Sequence, residues 1–134
     1  MKRITFYFLL IATATTTFSC KKEVPVSGSL IGTWELSVDV GGWSGTHYHK
    51  PGNDTLIKFT DNTYAFYQKG KLIKSGTYVT KMDTSYVYQS QKNRIIFDDE
   101  NANYTHEFYD IKNNELTLFI DAYDADIATY RRIK

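Results

Sequence analysis

Cysteine is almost missing from this sequence. Cys20 is the only one, so no intrachain disulfide can hold the fold together. Proline is scarce too: Pro25 and Pro51 are the only two, which excludes proline-rich linkers and polyproline segments. No apolar run is long enough to cross a bilayer as a helix. The longest, residues 4–12, falls well short of the roughly 20 residues a span requires. An excess of one charge is also lacking, since 16 basic residues stand against 15 acidic ones. A near-neutral chain has no electrostatic footprint for nucleic acid. Phosphate-binding loops, dinucleotide fingerprints, internal repeats and low-complexity tracts are not found. Gly42-Trp43-Ser44-Gly45 lacks the second flanking glycine of a nucleophile elbow, because position 46 is Thr46. No acid–base or nucleophile pairing stands out elsewhere, so an enzyme is not expected and no cofactor is implied.

What the sequence does have begins at its N-terminus. Met1-Lys2-Arg3 is a short positive region, residues 4–12 are apolar, and residues 13–19 are small and polar. This is the three-part layout of a secretory signal. Thr17-Phe18-Ser19-Cys20 resembles a bacterial lipobox, with Thr17 where leucine is usual. The resemblance implies cleavage before Cys20 and acylation of its thiol. Acylation also accounts for a lone cysteine in an oxidising compartment. We therefore expect a signal peptide over residues 1–19, a lipidated tether over 20–29 and one domain over 30–134. Two or more acyl chains would hold the domain to a membrane stably. Lys21 after the cysteine does not look like an inner-membrane retention signal, which points to the cell envelope and its outer membrane. Removing 19 of the 134 residues leaves 115, with 14 basic and 15 acidic residues.

Aromatic residues make up 16% of the chain, including 11 tyrosines, and suit strands. Residues 31–40 alternate, with Trp34, Leu36, Val38 and Val40 on one face and Thr33, Glu35, Ser37 and Asp39 on the other. Period two with polar residues on one side predicts a half-buried strand. Residues 41–53 read as a long loop. Further strands are expected at 56–59, 63–68, 72–80, 86–90, 94–97, 104–111, 115–120 and 127–133. Turn signals separate them: Asp61-Asn62, Lys69-Gly70, Gln91-Lys92-Asn93, an acidic turn over 98–103, Asn113-Asn114 and the loop 121–126. No window carries a helical period of useful length. Short strands joined by hairpin-like turns predict an all-β, antiparallel up-and-down barrel of about eight strands, which removes its edges by closing.

Gly32-Thr33-Trp34 resembles the G-x-W signature of the lipocalin superfamily, and Tyr130-Arg131-Arg132 lies in the last strand. The resemblance implies that Gly32 lets the chain turn beneath the barrel and that Trp34 plugs the closed end. An arginine would cover its indole; strand parity leaves Arg131 and Arg132 both open. Residues 59–66 and Ser75-Gly76-Thr77-Tyr78 are similar to small lipocalin-like lipoproteins of Gram-negative bacteria. No C-terminal helix is expected after the last strand. A barrel of this size is either filled by its own side chains or holds one small ligand.

The candidate binding residues follow from that frame. Trp43, between glycines on a long loop, is expected to be at least partly exposed and to form a lid or contact surface. Tyr64, Phe66 and Tyr78 either line a ligand cavity or pack as core. His47 and His49 would share a face if extended, but His106 is distant in sequence, and no metal is expected. Asp121, Asp124 and Asp126 lack the glycine and distal glutamate of a calcium loop. The expected function is a membrane-anchored envelope lipoprotein whose barrel binds a small apolar ligand. The alternative is a filled barrel presenting its loops to a protein partner.

Overall fold

The computed structural model describes residues 28–98 and 106–134. The expected signal peptide, Cys20 and most of the tether lie outside the described residues, as do residues 99–105. The described chain is all-β. Nine strands follow in order: β1 (Gly32–Gly41), β2 (Gly45–Tyr48), β3 (Leu56–Phe59), β4 (Thr63–Gln68), β5 (Lys71–Thr84), β6 (Gln91–Phe97), β7 (Glu107–Lys112), β8 (Glu115–Ile120) and β9 (Ile127–Arg132). All pairings are antiparallel, and β1 pairs with β9 to close an eight-strand barrel. β2 is an extra strand that hairpins onto the far end of β1.

The turns explain the meander. Asn113 and Asn114 both take positive φ (52° and 62°), and so do Lys69 and Gly70 (50° and 73°). Two successive residues in that region form the turn whose twist matches an antiparallel hairpin, and asparagine and glycine tolerate it best. The core holds Trp34, Ile57, Phe59, Tyr64, Tyr78, Ile95, Leu116, Leu118 and Tyr130. Its aromatic centre is edge-to-face: Tyr64 meets Phe97 at 4.6 Å and Phe59 meets Tyr78 at 5.1 Å between ring centroids. Each such pair adds about 1 kcal/mol beyond area burial.

Three details depart from the sequence reading. First, the alternation of β1 does not run its whole length. A β-bulge lies between Leu36 and Val38, where Leu36 pairs with Tyr130 but Val38 pairs with Thr129. An extra residue flips the parity beyond it. Asp39 therefore lies opposite the inward Ala128, and Val38 and Val40 turn outward. Second, residues 41–53 are not all loop. They include β2, and the stretch after it covers Glu35, which is only 4% exposed.

Third, β5 continues to Thr84, and residues 86–90 are a turn rather than a strand. That turn docks through Asp121. The carboxylate of Asp121 accepts hydrogen bonds from the Ser85 hydroxyl and from the amides of Tyr86 and Val87. Tyr88 stands edge-on to Phe119 at 5.6 Å, and Phe119 stacks on the fully buried Phe108 at 5.9 Å. Phe108 and Phe119 point away from the barrel interior, so they form a small second core outside it.

Candidate functional site

The two ends of the barrel differ in chemistry. At the end where β1 begins, Arg132 lies over the Trp34 ring, with its guanidinium carbon 4.0 Å from the centroid. The same guanidinium donates to the carbonyls of Ile31 (2.8 Å) and Ser29 (2.5 Å). Trp34 is fully buried, and its indole N–H donates to the Leu30 carbonyl at 2.7 Å. Gly32 has φ +142°, and a Cβ there would meet the Lys134 carbonyl oxygen at 2.6 Å. Only glycine fits that crossing. Of the two arginines the sequence left open, Arg132 covers the indole.

Arg131 faces the opposite way. It bonds Glu35 at 2.9 Å and the carbonyls of Leu36 and His49. The other Glu35 oxygen accepts from the amides of Gly52 (2.8 Å) and Asn53 (3.1 Å). Burial alone would raise the Glu35 carboxyl. The Arg131 bond and the two amides outweigh it and hold the group below its ordinary value. Glu35 and Arg131 thus clamp the stretch after β2 onto the barrel wall.

The other end, where β1 finishes, holds a cavity of about 300 Å³. Phe66, Leu118, Ala128 and Tyr130 supply its apolar surface, and Asp39 and Glu107 its acidic side. Asp126 stands at the rim, and among the described residues neither lysine nor arginine lines the space. Tyr130, 9% exposed, lines this cavity. Burial, with the nearby charges of Glu107 and Asp39, pushes its hydroxyl up to about 12. It stays protonated at neutral pH. The side chain of His49 bonds the Asp39 carboxylate.

Of the aromatic residues singled out from sequence as candidate contacts, Phe66 alone lines this cavity. Tyr64 and Tyr78 are 2% and 7% exposed and sit in the core. Their hydroxyls are taken by Asp98 (2.5 Å) and the Thr60 carbonyl (2.7 Å). Tyr78 also borders a more open groove of about 530 Å³ beside Leu30 and Ile31. Trp43 stands in the β1–β2 turn, fully exposed, with Tyr48 and Tyr123 also exposed. His47 lies on exposed β2, while the His106 backbone carbonyl accepts from the Asp121 amide. No group of three metal-ligating side chains occurs among the described residues.

Sequence reasoning missed Asp39, Glu107 and Tyr130. The bulge hid Asp39. For Glu107 a signal was present: it shares strand parity with Tyr109 and Ile111, and a charge on an apolar face marks either a mouth or a site. Compared with known proteins, the chain matches no family model, no curated protein and no solved structure.

Proposed function

We propose that this chain is an envelope lipoprotein, tethered through Cys20, whose barrel takes one small molecule at the mouth opposite the Trp34 plug. The observation that carries the reading is the cavity of about 300 Å³ faced by Phe66, Leu118, Ala128 and Tyr130. That volume is the small end of the range for ligand pockets, about 300–1,000 Å³. Below it the interior is filled by buried side chains, so the ligand is compact and does not run the length of the barrel. The lipobox-like Thr17-Phe18-Ser19-Cys20 and the preceding apolar run support the anchor and the outer-membrane location.

The test is native mass spectrometry on the full chain, released gently from its host's envelope. A reproducible extra mass that disappears on denaturation is expected. A clean apo mass, repeated after incubation with an extract of host small molecules and lipids, overturns the reading. A second reading is favoured by Trp43, whose side chain is fully exposed in the β1–β2 turn. On that reading the barrel is a scaffold presenting the β1–β2 hairpin to another envelope protein. Loss of a crosslinked partner on Trp43→Ala supports it, and an unchanged crosslinking pattern removes it.

A further inference from the structure

We propose that the mouth cavity selects an organic cation: a small amine with a compact apolar body. This inference rests on the mouth-binding reading and names its ligand class. Three independent features converge. The first is the sign of the lining. Asp39, Glu107 and Asp126 face or rim the space, and among the described residues no lysine or arginine lines it. The whole chain is nearly charge-balanced, so composition does not account for this segregation.

The second is Tyr130. It lines the cavity beside Asp39 and Glu107, and burial together with those charges pushes its hydroxyl up to about 12, so the phenol stays protonated. The hydroxyl oxygen can accept from an ammonium N–H while the phenol proton remains in place. The third is the aromatic and apolar remainder. Phe66 and Tyr130 offer ring faces to a cation, and Leu118 and Ala128 offer apolar surface to its carbon skeleton.

The alternatives of like size are disfavoured by the same residues. A carboxylate or phosphate would be placed against Asp39 and Glu107, and like charges in a partly desolvated space repel. A metal ion lacks a three-ligand set among the described residues. A fatty acyl chain exceeds the cavity, because Trp34, Ile57, Phe59 and Tyr64 fill the barrel beneath it. His49 already engages the Asp39 carboxylate, which is 38% exposed, and so restrains it at the rim.

The test uses the full chain in neutral maltoside micelles, with backbone amide signals of Leu118 and Ala128 as reporters. Three probes share a phenyl ring and chain length but differ in charge: 2-phenylethylamine, 2-phenylethanol and 3-phenylpropionate. The amine is expected to shift the reporters and to bind at least tenfold more tightly than the alcohol. The carboxylate is expected not to shift them. Asp39→Asn and Glu107→Gln should each weaken the amine about tenfold and leave the alcohol unchanged. If alcohol or carboxylate binds as well as the amine, or if both variants leave amine affinity unchanged, the charge selection falls and mouth binding stands. If no probe moves either reporter, both fall.

Discussion

The plugged end and the mouth are built from the same strands and similar residues, yet they satisfy their polar groups differently. At the plugged end the polar groups bond mostly to nearby backbone, although Arg132 Nε is buried without a partner among the described residues. The Trp34 indole N–H reaches Leu30, Arg132 reaches Ser29 and Ile31, and the Tyr78 hydroxyl reaches Thr60. At the mouth, Tyr130 is the most exposed of the buried core residues and lines a cavity beside the carboxylates of Asp39 and Glu107. The difference teaches where each property resides. Internal satisfaction gives stability and a single conformation, whereas polar groups lining a cavity give a place for a ligand.

The largest expected effect comes from breaking the plug. Trp34→Ala removes a fully buried indole and leaves Arg132 without its ring. A loss of about 5 kcal/mol is expected, from the large-to-small cost plus the lost cation–π contact. Urea unfolding measures it, and a loss below about 2 kcal/mol would mean that the plug is not the main structural element. Next is Glu35→Ala, which strands Arg131 and two loop amides. About 3 kcal/mol is expected, the lower end for a broken buried pair, because Arg131 is still 28% exposed.

A smaller effect is the acid limb of the same clamp. Glu35 is held below its ordinary value, so its contribution is fully present above the unfolded carboxyl pKa of about 4.3. It fades as pH falls through the lower folded value. Glu35→Gln should therefore flatten the fall in urea midpoint between about pH 5 and pH 3, roughly one unit either side of that pKa. An unaltered slope would assign the acid sensitivity to Asp83, Asp98 and Asp121, whose carboxyls are also held low. The smallest effect belongs to the mouth. Tyr130→Phe keeps the ring and removes only the hydroxyl at the cavity, so stability should stay within about 0.5 kcal/mol. A larger loss would show that the hydroxyl has a structural partner and would weaken the contrast between the two ends.

Much of the fold was legible beforehand. The turn pairs Asn113-Asn114 and Lys69-Gly70 announced their hairpins, and the alternation around Leu116 and Leu118 announced an inward face. The strands at Leu56–Phe59, Thr63–Gln68 and Glu115–Ile120 fall where their patterns placed them. The site was less legible. Trp34 and Gly32 stood out through a motif, but Tyr64 and Tyr78 are chemically like Tyr130, and only depth in the barrel separates core tyrosine from cavity tyrosine. Residues 86–90 carry strand-forming side chains, and their turn conformation depends on Asp121, more than thirty residues away in sequence.

The sequence by itself determined the class: short alternating segments with local turn chemistry can bury one face each only by pairing in order, and the ends of such a sheet meet. Those are near-neighbour properties, written in period two and in the residues that tolerate positive φ. Only the tertiary structure decided which arginine covers Trp34, which glutamate is buried and which aspartate turns inward. Each depends on a register set between distant strands. A single extra residue at Ser37, invisible in composition, reverses every side chain after it and brings Asp39 to the mouth.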